Sequence, residues 1–446
     1  MNYLFVAPFY SHLKLDTSKI KHRECEFEKV KNNFIKKNYG SFPWIKGVDN
    51  SKNEMKFQNI QEDANKDNNI VFRIDTEHLI ESTLTKFRHN NPSIEFKAIN
   101  SELIIFHYGI SNLVLELSID DHDLESERVQ DFSNKLMTFV VQELFKLHLK
   151  ELFVKFVKEL NNDFIHIRNH EKMLNLHPLI DHVVPLWVNR TLLIDDGTDI
   201  YGLKTHILNW LALGGGEWTE VYETLQEDGK FLNWGHNIII QKKENDQKKY
   251  IIEAIHLCQY YYSVLEMFNN ELTELIGKTF TDRRDHGSIK KLRKKLNKLI
   301  FNVNFFMITM DEEWFNVQGQ KKVYLNDLIK KWRIDRLKEM INKKVAYCQE
   351  KADDINNTLV KRNQTISEII LFAIGGIALV DFFTSVSQFS FAIRSNSNHI
   401  DYEYFNLPGI LDLALKVAPD GMIFSGFIIL LFLFSLYFTF INRSRS

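Results

Sequence analysis

Hydrophobic positions concentrate in two segments near the end of the chain. Residues 422–441 (MIFSGFIILLFLFSLYFTFI) contain no charge, and their number matches the ~20 residues that an α-helix needs to cross a bilayer. Residues 369–391 are apolar up to Val380 and are then interrupted by Asp381. The short apolar run alone would also suit a buried core helix. Beside a second span it predicts a membrane helix with one polar face.

Basic residues predict how this pair of segments is oriented. Only Arg394 and Lys416 lie between the two segments, and the flanking positions outside the pair carry Lys351, Lys361, Arg362, Arg443 and Arg445. Positive charge favours the cytoplasmic side, so both termini are expected in the cytoplasm of a multi-pass inner-membrane protein. The connector, residues 392–421, then faces outward, and residues 442–446 form a basic cytoplasmic tail. Residues 4–10 are apolar but too few for a signal-peptide core.

Upstream of the first span, apolar residues recur in steps of three and four, which is the spacing of one apolar stripe on an α-helix. The stripe consists of Ile334, Leu337, Ile341, Val345, Cys348, Ala352, Ile355, Leu359, Ile366 and Ile370. Residues 323–391 contain no proline. The pattern predicts one stalk helix of about 69 residues, roughly 100 Å long, with a break near Asn356–Asn357 as the alternative. Such a helix needs partner helices, from the same chain or from symmetry copies.

The first part of the chain mixes strand-like and helical patterns. Alternating or β-branched runs predict strands at residues 94–98, 103–107, 113–119, 183–193 and 237–242. Helical patterns cover residues 125–161, 246–278 and 287–317. The sequence therefore predicts an α+β fold with four parts: a cytoplasmic α/β sensor domain (1–245), a helical region with the stalk (246–368), and two transmembrane helices (369–391 and 422–441).

Composition excludes several classes of protein. The chain has 56 basic and 58 acidic residues and a net charge of −2, whereas a dedicated nucleic-acid binder is usually strongly basic. Its three cysteines form neither a metal spacing nor a disulfide framework. No nucleophile elbow or zinc-protease motif is present. We therefore expect no enzyme activity, no cofactor and no direct contact with nucleic acid.

This order of elements resembles the CorA-type two-pass membrane proteins, which have a cytoplasmic α/β domain, a long stalk helix that continues into the first span, a second span and a short basic tail. The resemblance is one of architecture and covers the C-terminal ~200 residues. CorA transporters carry Gly-Met-Asn just beyond the first span, but this chain has SQFSF at residues 387–391 and a longer connector. Both departures are similar to those of the divergent CorA-like effectors of type III CRISPR defence, which respond to a nucleotide second messenger.

The resemblance implies a homopentamer in the lipid bilayer whose first-span helices line a central pore, with a small nucleotide ligand on the cytoplasmic domain. A ligand-gated channel or membrane effector in antiviral defence is therefore the leading hypothesis. One alternative is a divalent-cation (magnesium or cobalt) transporter with an altered mouth. Another is a membrane-tethered sensor or scaffold without pore activity.

Small and polar residues share one side of the predicted first span and are the candidate pore lining. They are Gln364, Ser367, Leu371, Gly375, Ala378, Asp381, Ser385 and Gln388. A carboxylate inside a span costs several kcal/mol unless it faces a polar cavity or a partner. Repeated around a symmetry axis, Asp381 would form an acidic ring that favours cations. The alternatives place Asp381 at the membrane interface, or neutralised by burial between helices.

Three arginines are the candidate ligand-binding residues, because a guanidinium fork suits phosphate. Arg190 interrupts an apolar run, where a charge needs a partner, and a structural ion pair is the alternative. Arg283 and Arg284 precede the basic run at residues 290–295, which otherwise reads as a solvated helix face. A group of four histidines, His166, His170, His177 and His182, lacks the carboxylates that would complete a known metal site, so no bound metal is expected.

Overall fold

The computed structural model describes residues 1–15, 24–46, 70–91, 94–119, 126–163, 174–176, 183–211, 217–241, 247–280, 286–395 and 418–445. The chain divides into two compact units, Met1–Lys351 (the N-terminal unit) and Ala352–Ser446 (the C-terminal unit). The predicted α+β class is confirmed, because the N-terminal unit combines a mixed sheet with many helices. The predicted boundaries at residues 245 and 368 stay predictions.

The sheet of the N-terminal unit has eight strands in the order β3-β4-β5-β6-β1-β8-β10-β9. Neighbouring strands are antiparallel, except that β8 and β10 run parallel. Strands β2 and β7 pair separately. The strands are β1 Asn2–Tyr10, β2 Leu13–Leu15, β3 Ile45–Lys46, β4 Ile70–Asp75, β5 Phe96–Phe106, β6 Ile110–Ile119, β7 Leu174–Leu176, β8 Asn189–Asp195, β9 Lys230–Phe231 and β10 His236–Gln241.

The helices alternate with the strands at first and then follow them. The α-helices are α1 Glu24–Asn38, α2 Glu77–Asn90, α3 Ser126–Leu144, α4 Lys150–Asp163, α5 Lys204–Leu211, α6 Trp218–Asp228, α7 Gln247–Phe280, α8 His286–Asn316, α9 Gly319–Lys331, α10 Ile334–Ser395 and α11 Pro419–Arg445. A single π-helical turn, Phe145–Leu149, joins α3 to α4. The helical regions predicted at residues 125–161, 246–278 and 287–317 are confirmed.

The apolar run at residues 4–10 is a central strand of the sheet. Strand β1 pairs with β6 on one side and with β8 on the other. Its side chains are buried on both faces: Tyr3, Phe5 and Phe9 enter the main hydrophobic core, and Leu4 lies on the opposite face. A strand that is buried on both faces reads as a continuous apolar run rather than an alternating one, which explains why alternation did not reveal it.

One face of the sheet carries a dense aromatic core. The rings of Phe34 on α1, Phe72 on β4 and Phe156 on α4 meet pairwise, with centroids 4.8–6.4 Å apart. Tilted and edge-to-face pairs of this kind add to the free energy gained by burial. This face therefore supplies most of the apolar packing of the N-terminal unit.

The other face of the sheet is covered by α7, which combines apolar packing, such as Tyr260 stacked on Phe106 at 4.5 Å, with polar contacts. The Asn112 side chain on β6 donates to the His256 carbonyl over 3.1 Å, and Lys248 pairs with Glu116 at 2.6 Å. The Gln259 amide donates to a backbone carbonyl of β1 over 3.1 Å. Helix α7 is thus positioned on the sheet by directional bonds.

The predicted single helix over residues 323–391 is wrong at its start. Helix α9 ends at Lys331 and α10 begins at Ile334, because Arg333 takes a left-handed backbone conformation with φ 52°. That conformation cannot continue a right-handed helix. The alternative break near Asn356–Asn357 is also wrong, since α10 passes through both residues as one helix of 62 residues.

Two predicted strands merge into one. Residues 94–98 and 103–107 were separated by an expected turn at Asn100-Ser101, but β5 is continuous from Phe96 to Phe106. Its pairing with β6 shifts register between Ala98 and Asn100. The Asn-Ser pair therefore lies at a β-irregularity, which local sequence does not distinguish from a turn.

Candidate functional site

Helices α10 and α11 form an antiparallel hairpin in the C-terminal unit. Phe372 stacks on Tyr437 with centroids 4.5 Å apart and 10° between the planes. Further along α10, Gly376 lies beside Leu430, and Phe383 lies against Gly426 so closely that a Cβ on this glycine would be 2.6 Å from the ring. Because these contacts move to higher residue numbers along α10 and to lower residue numbers along α11, the two helices are antiparallel.

Large apolar side chains of this hairpin point outward on both helices. Those exposed include Ile366, Ile369, Ile370, Leu371, Ile374, Ile377, Val380, Phe382, Ile423, Phe424, Phe427, Ile428, Leu431, Phe432 and Phe434. A soluble protein rarely leaves so much contiguous apolar surface uncovered. Among the described residues, one helix (Ile334–Gln388) is long and apolar enough to cross a membrane, and Ile423–Ser435 is a shorter apolar segment. The second span therefore stays a prediction.

All eight candidate pore-lining residues are exposed in the single chain: Gln364, Ser367, Leu371, Gly375, Ala378, Asp381, Ser385 and Gln388. Phe372, Gly376 and Phe383, which face α11, lie roughly 150° away around α10 at 100° per residue. The polar stripe is therefore not used to pack the hairpin.

Asp381 lies at the edge of a groove between α10 and α11. The groove has a volume of about 630 Å³ and is lined mostly by apolar side chains, among them Ile377, Val380, Leu430 and Phe434. The Asp381 carboxylate forms no hydrogen bond or ion pair with any residue that the structure describes. Burial between the two helices, one of the alternatives, is thus not how the single chain accommodates this charge.

In the N-terminal unit, Arg190 on β8 is buried, with 6% of its surface exposed. Its guanidinium donates to Ser133 Oγ (2.6 Å), to Asn134 Oδ1 (2.6 Å) and to the Val188 carbonyl (2.7 Å). Every one of these acceptors is neutral, and no carboxylate of the described residues lies within ion-pair distance. Burial lowers the pKa of Arg190 to about 10. The ion pair expected as the alternative to ligand binding is absent from this part of the chain.

His236 stands beside Arg190 because β8 and β10 run parallel with these two residues in register. Its ring packs edge-on against Trp210 at 5.0 Å. Burial, with a smaller contribution from the Arg190 charge, lowers the pKa of His236 to about 4. Its buried Nε2 has no hydrogen-bond partner among the described residues. The Arg190 guanidinium and the His236 imidazole therefore lie on adjacent strands, without a counter-charge among the described residues.

The structure does not describe the other candidate ligand-binding and metal-binding residues. Arg283, Arg284, His166, His170, His177 and His182 lie outside the described residues. The lysines of the basic run on α8 are exposed while Leu292 and Leu296 are buried, which fits the solvated helix face. The described residues contain no cluster of three or more histidine, cysteine or acidic side chains suited to a metal.

Sequence reasoning missed a group of aromatic residues on the N-terminal unit. Trp187, Trp234, Tyr262 and Trp332 lie on separate segments and meet within 6.4 Å. Only the fold brings them together, so neither spacing nor periodicity could have found them. The one available signal was that three of the chain's seven tryptophans fall in or beside elements that were predicted as separate.

Comparison with known proteins gives no match to this chain among family models, curated proteins or solved structures.

Proposed function

We propose that this chain is a CorA-like membrane channel or membrane effector that assembles as a homo-oligomer, with a pentamer implied by the resemblance. Its pore would be gated by a nucleotide second messenger bound to the N-terminal unit, in type III CRISPR antiviral defence. The observation that carries the proposal is the hairpin itself. It is apolar on its outward surface and carries one polar stripe, with Asp381, whose eight residues are exposed in the single chain.

Membrane insertion is supported by the chemistry of the hairpin surface. Burying apolar side chains in lipid contributes about 25 cal/mol per Å², and the backbone groups of both helices are satisfied internally, as a bilayer requires. A charge such as Asp381 is stable at that depth when it faces water or a partner. Assembly of several copies around the stripe would supply that water-filled space.

A nucleotide-binding site in the N-terminal unit is supported by Arg190 and His236. A buried guanidinium with only neutral acceptors lacks the counter-charge that buried cations normally have. A phosphate oxygen would supply it and would accept a charge-assisted hydrogen bond from the guanidinium. The unpartnered Nε2 of His236 offers a second nitrogen to the same anion.

Gating would require the ligand to bind one state of the assembly more tightly than the other. A shift from 1:99 to 99:1 takes a difference of about 5.5 kcal/mol, which several copies of one ligand site can share. Helix α10 runs unbroken from Ile334 to Ser395. A displacement of the first residues of α10 would therefore be transmitted to Asp381 along one continuous helix.

Proteoliposomes that hold the full-length protein test this function. A panel of cyclic and linear adenine nucleotides should release an enclosed dye or ion, and Asp381→Asn should lower cation flux about tenfold by removing the ring of charge. The matched control is Asp420→Asn, the same chemical change in the first turn of α11, which should leave flux unchanged. Failure of every nucleotide to produce flux would contradict the proposal.

The exposed carboxylate of Asp381 favours a second candidate, divalent-cation transport through an altered mouth. This function predicts magnesium or cobalt flux without any nucleotide, and loss of that flux in Asp381→Ala. A tether without pore activity makes a different prediction. Replacing residues 369–441 with an unrelated two-pass anchor would then preserve the biological activity.

A further inference from the structure

Three aromatic side chains of the N-terminal unit form an open, partly exposed site, which we call the aromatic patch: Trp187, Trp234 and Tyr262. The two indole rings stand 6.4 Å apart with 32° between their planes. The Tyr262 ring lies across both, at 4.7 Å and 73° to Trp234 and at 5.4 Å and 88° to Trp187. The two indole rings at a small angle, with the phenol ring nearly perpendicular to both, therefore form one aromatic cluster.

The patch packs against a buried residue on one side and is partly exposed to solvent on the other. Trp332 is 3% exposed, packs on Trp234 at 5.0 Å and donates its indole N–H to the Asn233 carbonyl over 3.4 Å. Trp234 itself leaves 40% of its surface exposed, and Trp187 and Tyr262 are half-buried. Rings held rigidly by a buried neighbour lose little conformational entropy when a ligand binds.

One carboxylate lies beside the patch. Glu266 follows Tyr262 by one turn of α7 and is half-buried. Burial raises the pKa of Tyr262, and the Glu266 carboxylate raises it further. Burial likewise raises the pKa of Tyr10, with further contributions from Glu266 and Glu271. Glu266 therefore lies close to both phenols, and it forms no hydrogen bond or ion pair with any described residue.

We propose that the aromatic patch and Glu266 bind a small organic cation of the quaternary-ammonium class. Such a cation is attracted by the faces of indole and phenol rings, and the carboxylate balances its charge. An anion would be repelled by Glu266. A neutral apolar ligand would cover the rings but leave the half-buried carboxylate without a counter-charge. This inference is independent of the proposed channel function.

Choline and 3,3-dimethylbutan-1-ol are matched probes, because the second has the shape of the first without its charge. Isothermal titration of the full-length protein in a maltoside detergent should show saturable binding of choline and much weaker binding of the neutral alcohol. Trp234→Phe keeps an aromatic ring and the packing on Trp332, and it should weaken choline only modestly. Equal affinity for choline and the alcohol, or no saturable choline binding, would overturn the proposal.

The carboxylate is tested by Glu266→Gln, which keeps the shape and removes the charge. Choline should bind about tenfold more weakly to this variant. Glu274→Gln, on the exposed side of the same helix, is the control and should bind like the original protein. A melting temperature equal to that of the control shows that the fold is intact. Equal choline affinity in the two variants would refute the role of Glu266.

A choline group can be free or part of a lipid, and nanodiscs distinguish the two sources. If phosphatidylcholine nanodiscs abolish the binding of added choline while phosphatidylglycerol nanodiscs preserve it, a lipid headgroup occupies the patch. Equal binding in both identifies a free cation as the ligand. Loss of binding in both would show that the patch is closed in the membrane-bound protein and would overturn the proposal.

Discussion

Among the described residues, three buried histidines make the N-terminal unit sensitive to acid. Burial lowers the pKa of His107 and of His256 to about 3, with smaller contributions from nearby Lys31 in the first case and from Arg73 and Lys321 in the second. His236 has a pKa of about 4. An unfolded histidine titrates near 6.5. As pH falls from about 6.5 toward 4, the unfolded state binds protons that the folded state does not, so the free energy of unfolding decreases.

Replacing His256 by Gln should reduce this acid sensitivity. At pH 5.5 the neutral imidazole costs the folded state about 1.4 kcal/mol relative to pH above 6.5, and a residue that does not titrate removes that dependence. Urea unfolding followed by tryptophan fluorescence at pH 7.5 and 5.5 measures the difference. His78→Gln, at an exposed position on α2, should keep the original dependence. An unchanged dependence in His256→Gln would show that the pKa of this imidazole is the same in the folded and unfolded protein, and would contradict the prediction.

Single residues also show where sequence reasoning stops. An arginine within an apolar run predicts burial and a partner, and Arg190 is buried as expected. Its partners Ser133 and Asn134 lie 57 and 56 residues away in the chain, and nothing in the local sequence identifies them. The neutral character of these acceptors is a property of how α3 packs on the sheet. A pattern can predict that a charge needs compensation, but it cannot predict which group provides it.

At the scale of elements, the hairpin depends on one close approach between helices. Gly426→Ala should weaken it, because the new Cβ would lie 2.6 Å and 2.7 Å from two atoms of the Phe383 ring and 3.2 Å from the Phe383 Cβ. Moving a packed ring typically costs about 1–3 kcal/mol. A titration with sodium dodecyl sulfate in mixed micelles, followed by far-UV circular dichroism, measures the loss of helix.

The control for this variant is Gly375→Ala on α10, where a new Cβ meets nothing within 4 Å. Alanine favours a helix over glycine by up to about 1 kcal/mol, so this variant should be as stable as the original or slightly more stable. Gly426→Ala receives the same gain in propensity, and any net loss is therefore due to packing. Equal resistance of both variants to the detergent would mean that α10 and α11 do not approach this closely.

Elements with a clear period were predictable, and elements defined by distant pairing were not. The apolar stripe of α10 is buried from Ile334 to Ala352, as its spacing of three and four predicts. Strand β1 gave no alternation, because both of its faces are covered. The break between α9 and α10 follows from the left-handed backbone conformation of Arg333. At helix ends this conformation is usually adopted by glycine or asparagine. Arginine at that position carries no such signal.

At the scale of the whole molecule, the proposed function implies that lipid and further copies of the chain cover the exposed surface of the hairpin. The polar stripe of α10 and the apolar residues of α11 are both exposed in a single chain, so each could face either lipid or another copy. Polar residues are costly against lipid, whereas Ile and Phe are not. This difference predicts which surface lies at the symmetry axis.

Cysteine cross-linking tests that assignment. In a Cys25→Ser background, where Cys258 and Cys348 are buried, Ser385→Cys should form disulfide-linked dimers in membranes on mild oxidation, because copies of the stripe would meet around a shared axis. Ile429→Cys, at an exposed apolar position on α11, should remain monomeric on a non-reducing gel. The reverse pattern would place α11 at the axis and would turn Asp381 toward the outside of the assembly. An acidic ring could not then form, and the polar stripe would need a different partner in the membrane.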